Sequence, residues 1–113
     1  MESKRQQKVS QLLQRDLAEI FQIDMRGQFS QNAMITVTKV QVTKDLSITK
    51  VYLSLFAVKD KEAFLTEVRS KTSMIRGILG KRIRHQLRVV PDLLFYIDDS
   101  LDYIENIEKL VKE

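Results

Sequence analysis

The sequence predicts an α+β fold in which helices cover one face of a three-stranded sheet, in the order α-β-β-α-kink-α-β with a further C-terminal helix. Three observations carry this prediction. Several segments repeat apolar residues at three- and four-residue steps, the period of a helix with one buried stripe. Two others are rich in β-branched residues alternating with polar ones, as half-buried strands are. The only proline, Pro91, separates a long helical pattern from a third apolar run, and a proline cannot continue a helix.

The first helical segment carries Val9, Leu12, Leu13, Leu17, Ile20 and Phe21 on one stripe, with Ser3 placed to cap it. The region of Gly27, Ser30 and Asn32 ends the pattern. Met34 to Thr43 then reads as a strand. Its apolar phase changes between Ile35/Val37 and Val40/Val42, which predicts a bulge near Lys39. A short polar turn, Lys44 to Ser47, leads to a second strand with Val51, Leu53 and Leu55 inward, ending near Ala57. So brief a connection predicts an antiparallel pair. Asp60 caps a helix holding Ala63, Phe64, Leu65 and Val68. A second helical pattern, Ile75, Ile78, Leu79, Ile83 and Leu87, is expected to run to about Arg88, with a kink in the polar stretch from Arg69 to Ser73. Leu93 to Ile97 is the third strand. Asp98, Asp99 and Ser100 supply caps for a last amphipathic helix carrying Leu101, Ile104, Ile107, Leu110 and Val111.

Composition narrows the function. A length of 113 residues, 43% of them hydrophobic, fits one domain over 1–113, with the C-terminal helix at about 99–113. Without cysteine there are no disulfides, thiolate metal sites or cysteine nucleophiles. No apolar run is long enough to span a membrane, no apolar block follows the polar start as in a secretory signal, and the lack of cysteine makes a reducing cytoplasmic setting the expectation. The net charge of +4 is unevenly spread. Arg69 to Arg88 holds seven Lys and Arg residues and no acid, whereas Asp92 to Glu113 holds seven acids and two lysines. A positive end of this kind favours an anionic partner.

Catalytic constellations are missing. His85 is the only histidine, with no acid beside it in sequence, and such a residue among arginines serves better as a phosphate contact than as a base. Asp98, Asp99 and Asp102 fit helix capping better than metal ligation, and no phosphate-cradling, zinc-binding or nucleophile motif occurs. The reading is of a non-enzymatic chain with no cofactor and no metal. Tyr52, Phe56, Phe95 and Tyr96 have faces on which bases stack, although aromatics on strands more often serve the core or the sheet surface.

The strongest constellation lies after the kink. At about 100° per residue, Ser73, Gly77, Gly80, Lys81, Arg84 and Arg88 fall in one sector of a helix, opposite its apolar stripe. Small residues beside long cations let a phosphate backbone approach while guanidinium groups take its oxygens bidentately. The competing reading is that the glycines admit a neighbouring element of the fold. The expected RNA-binding set is Lys81, Arg84 and Arg88 at the centre, Arg76 and His85 flanking, and Lys4, Arg5, Lys8 and Arg15 on the first helix. Gly77-Ile78-Leu79-Gly80 spells G-x-x-G, but Ile78 and Leu79 belong to the helical stripe, so these glycines are read as helical rather than as a backbone clamp.

Several blocks, in order and spacing together, resemble the ribosome-binding factor A family. They are Gln11 to Ile20; Ile35 to Val40 with Asp45-Leu46-Ser47 and Lys50 to Ser54; Ile75-Arg76; Leu79 to Arg84; Val90 to Leu93 with Phe95; and Asp98 to Leu101. The resemblance implies a type II KH-like α+β fold with a helix-kink-helix in place of the clamp. It also implies binding to the small ribosomal subunit and its rRNA during late maturation and rRNA processing, and a role in cold adaptation. A ribosome-associated GTPase that promotes release is the further partner it implies, with the chain itself a monomer. Where the family carries Ala-x-Gly at the kink, this chain has Lys71-Thr72-Ser73, so Thr72 and Ser73 are the expected kink residues. Two rivals remain from the residues alone: a dimerisation module docking through its last helix, and a DNA-binding domain placing the basic helix in a major groove.

Overall fold

Ser3 does open the first helix, α1 (Lys4–Glu19), in a computed structural model that describes residues 3–29 and 34–98. The Ser3 hydroxyl accepts from the Gln6 amide at 3.1 Å, and Gln6 Oε1 accepts from the Ser3 amide at 2.9 Å. This capping box satisfies amides that the first turn of a helix leaves without partners. Gln6 Nε2 then donates to Val42 O at 3.0 Å, fastening the start of the helix to the sheet. After Glu19 the helix widens into a π turn, Ile20–Asp24, closed by the Met25 amide donating to Ile20 O at 2.8 Å. The wider turn lets Ile20, Phe21 and Met25 all reach the core. Gly27, at φ +78, ends the segment in the left-handed conformation that glycine adopts without steric cost.

Strands β1 (Met34–Val42) and β2 (Ile48–Phe56) pair antiparallel, and their register shifts between Val37 and Lys39. The extra residue, Thr38, keeps Ile35 and Val37 before it and Val40 and Val42 after it on the same inner face. In the connecting turn, Leu46 sits at φ 62. The Asp45 carboxylate accepts from the Ser47 hydroxyl (2.7 Å), the Thr43 hydroxyl (2.8 Å) and the Ser47 amide (3.1 Å). Those donors, the Ser47 hydroxyl foremost, hold its pKa below the ordinary carboxylate value.

Helix α2 (Lys61–Ser70) begins at Asp60, whose carboxylate accepts from the Ala63 amide at 3.1 Å. The break between helices falls on Lys71 alone (φ −104, ψ 12); Thr72 and Ser73, the expected kink residues, open α3 (Thr72–Ile83) instead. The Thr72 hydroxyl donates to Arg69 O at 2.7 Å, occupying a carbonyl at the end of α2. Strand β3 (Asp92–Ile97) pairs with β2 in parallel, with α2 and α3 as the crossover such a pair requires. The sheet order is β1-β2-β3. Val37, Val40, Val51, Leu53, Leu55, Leu93 and Phe95 on its inner face meet Leu13, Leu17, Phe64, Val68, Ile75, Leu79 and Ile83 from the helices in one core. The fold is α+β and KH-like in arrangement, as expected. The anticipated C-terminal helix, at about 99–113, lies outside the described residues.

One boundary is corrected. Helix α3 stops at Ile83, not near Arg88. A closing turn follows, with Gln86 and Leu87 amides donating to Ile83 O at 2.8 and 2.9 Å. The chain must then reach β3, whose first amide, Asp92, donates to Ser47 O at 2.9 Å. Five more helical residues would carry it about 7.5 Å onward instead. The return is secured by Arg76, which donates from Nη2 to Val90 O at 2.7 Å and from Nε to Pro91 O at 3.2 Å.

Candidate nucleic-acid interface

Helix α3 buries Ile75, Leu79 and Ile83 against the core, so Ser73, Gly77 and Lys81 face solvent on its other side, and Arg84 follows at the helix end. Both glycines are helical, in keeping with the sequence reading, but they serve different ends. A Cβ on Gly77 would meet nothing within 4 Å, whereas one on Gly80 would lie 3.0 Å from Val90 Cγ2. Gly80 therefore admits the loop that returns to β3, while Gly77 leaves bare backbone open to a partner. Gly77→Ala is expected to stabilise the protein by about 0.8–1 kcal/mol, the helix-propensity difference, seen as a higher urea midpoint. Gly80→Ala is expected to gain less, because Val90 must yield to the new methyl group.

Within the acid-free stretch the structure divides the basic side chains into two groups. Arg69 donates from Nε (3.2 Å) and Nη2 (2.8 Å) to Phe95 O. Arg76 holds the 90–91 carbonyls and lies 3.7 Å from Asp92 Oδ1. Arg82 reaches Asp16 Oδ1 at 3.3 Å, Asp24 Oδ2 at 3.7 Å and the Glu19 carboxylate. These three are occupied in holding the fold. Lys81, Arg84, His85 and Arg88 are exposed, with no hydrogen-bond or ion-pair partner among the described residues. Arg76, expected as a flanking contact, is thus a clasp on the loop. Arg88, expected on the helix, lies beyond it in the returning segment. Lys71, outside the expected set, is half-exposed at the break and likewise lacks a partner among the described residues. Its place in the acid-free run is the signal that marks it.

On α1, Lys4, Lys8 and Arg15 project opposite the buried stripe of Val9, Leu13 and Leu17, and Arg5 is also exposed. Arg82 ties the end of α3 to the end of α1, which brings the Arg15 end of α1 beside that of α3. Lys8 and Lys4 lie about 10 and 17 Å further along the helix axis. The cations thus form a concentrated group, Lys81 to Arg88, with Arg15 near it and an outlying group at the start of α1. Such a surface suits phosphates spaced along a backbone rather than a single anion. Among the described residues no group of His, Asp and Glu is arranged to hold a metal ion, and no helix is long and apolar enough to cross a membrane.

Residues 5–111 match the family model described as Ribosome-binding factor A. The ribosome-binding factor A of Christiangramia forsetii is 48% identical over 111 residues, covering 98% of this chain and 85% of that protein. The crystal structure of ribosome-binding factor A from Thermus thermophilus resembles this one with a TM-score of 0.67 at 25% identity, covering 81% of this chain and 94% of that one. A homology model of the Thermus thermophilus ribosome-binding factor A, fitted into the cryo-EM map of a 30S complex with that factor, gives a TM-score of 0.63 at 25% identity, covering 79% of this chain and 90% of that one.

Proposed function

The chain belongs to the ribosome-binding factor A family, and from that premise we propose that it is a non-enzymatic assembly factor that binds the small ribosomal subunit through phosphates of its rRNA. One observation carries the mechanism: in a stretch where Arg69, Arg76 and Arg82 are all engaged by the fold, Lys81, Arg84, His85 and Arg88 are left unpaired at the surface among the described residues. Unpaired guanidinium groups have no internal contact to give up on meeting RNA, and their planar forks match phosphate oxygens. Gly77 leaves room for the backbone to approach between Lys81 and the kink. Arg15 and, further out, Lys4, Arg5 and Lys8 extend the surface along α1.

The 30S complex of the Thermus relative supports the same partner for this chain. The proposal extends to what the family implies: action in the cytoplasm, as a monomer, during late maturation and rRNA processing, importance for growth in the cold, and release promoted by a ribosome-associated GTPase.

The test is co-sedimentation of the purified protein with immature and mature small subunits across a salt series. With four to six phosphates neutralised, the logarithm of the binding constant is expected to fall with the logarithm of salt at a slope of about −3 to −5. Retention favouring immature particles and fading with salt supports an assembly factor. A flat salt response removes the phosphate mechanism, and no association with either particle at low salt overturns the ribosomal reading.

A further inference from the structure

The helices cover one face of the sheet, and the opposite face carries its own chemistry. Its outward positions pair Lys39 with Tyr52 and Tyr52 with Tyr96, so one row crosses all three strands. The two tyrosine rings stack with centroids 5.5 Å apart and planes 27° from parallel, forming a single offset aromatic surface that is half exposed. A cation stands at each end. Lys39 Nζ lies 6.0 Å from the Tyr52 centroid, and Arg69 Cζ lies 5.9 Å from that of Tyr96. Arg69 is fixed there because its guanidinium also donates to Phe95 O. The neighbouring row adds Lys50 and the exposed Leu94. Two carboxylates border this face, and both are engaged: Asp92 faces Arg76, and Asp98, just past β3, accepts from the Thr38 hydroxyl at 2.6 Å.

An aromatic pair with a cation at either end is matched by one ligand chemistry: unpaired bases strung on a phosphate backbone. The bases offer π faces to the rings, and the phosphates meet the cations. Aromatics on the open face of a sheet stack two or three bases in other RNA-binding modules. We propose that the Tyr52–Tyr96 row is a second RNA contact, taking one or two unpaired nucleobases of single-stranded RNA, with Lys39 on one flanking phosphate and Arg69, still bonded to Phe95 O, turning its remaining N–H groups to the other. This rests on the RNA-binding reading above but uses the face of the sheet opposite the helices that carry the basic surface. It supplies what phosphate contacts alone lack, a preference for bases that are out of a helix.

Fluorescence anisotropy of the full chain tests it, with an adenine oligomer of about twelve nucleotides compared with the same sugar-phosphate chain without bases. The base-bearing oligomer is expected to bind at least about tenfold more tightly, since stacking on each ring contributes about that factor. Tyr52→Thr with Tyr96→Thr should bring the ratio close to one, leaving affinity for the abasic chain and its salt dependence unchanged. Tyr52→Phe with Tyr96→Phe, which keeps both rings, should retain the ratio, and this pair protects the test should the threonine pair unfold. A ratio near one in the wild type, or an undiminished ratio in a folded threonine variant, overturns the inference. Tyrosine ring-proton shifts that follow protein concentration rather than RNA would assign the face to a second copy of the chain and overturn it as well. The two readings fail separately: if small subunits and the abasic chain still bind in a salt-dependent way, only the stacking site is lost, whereas loss of that binding in the wild type sinks the phosphate reading itself.

Discussion

Replacing Arg84→Glu together with Arg88→Glu is expected to weaken association with small subunits by at least about a hundredfold while leaving the melting behaviour nearly unchanged. A hydrogen bond to a charged group is worth about 1.5–3 kcal/mol, so two lost phosphate contacts amount to about 3–6 kcal/mol before any repulsion is counted. The salt slope should also become shallower by about two, one for each phosphate no longer neutralised. Stability should fall by no more than about 1 kcal/mol, because both side chains are exposed, neither has a partner among the described residues, and only Arg84, at the C-terminal end of α3, meets the helix dipole. Co-sedimentation at fixed salt reads the first effect and thermal melting the second. Wild-type retention on small subunits by a folded double variant would remove these arginines from the interface.

Two residues before Arg84, loss of the cation should do the opposite. Arg82→Gln is expected to destabilise the fold by about 2–3 kcal/mol, with little effect on binding by the molecules that remain folded. Asp16 accepts from Arg82 at 3.3 Å with its side chain only 8% exposed, so removing the guanidinium leaves a carboxylate buried without its cation. Breaking a fully buried pair costs about 3–5 kcal/mol; the 29% exposure of Arg82 and the more open Glu19 and Asp24 bring the figure down. Urea unfolding should show a lower midpoint at unchanged m. A double-mutant cycle with Asp16→Asn should recover part of the loss, because the stranded charge is then gone. An unchanged midpoint for Arg82→Gln would show that the α1–α3 clasp contributes nothing to stability.

Arg82 and Arg84 also mark how far sequence reasoning reaches. Both belong to the acid-free stretch, and no local pattern says which one is engaged. That depends on Asp16, Glu19 and Asp24, about sixty residues away in the chain. Arg76 shows the same limit from the other side: its charge suited an RNA contact, and its position turned it toward the Val90 and Pro91 carbonyls.

What the sequence by itself determined was whatever arises within a few residues. The capping residue Ser3, the Asp60 cap, the stripes of α1 and α3, the bulge between Val37 and Lys39 and the helical state of Gly77 and Gly80 all follow from side chains acting on their own backbone or from the period of the element they sit in. The order and spacing of whole blocks carried the family. Tertiary structure alone decided that α3 ends at Ile83, that β3 runs parallel to β2, that the helix break narrows to Lys71, and that three arginines fasten the fold while Lys81, Arg84, His85 and Arg88 stay free among the described residues. These depend on where distant segments meet. A helix stops where the chain must return to its sheet, and a cation is free only when folding brings no carboxylate or carbonyl within its reach.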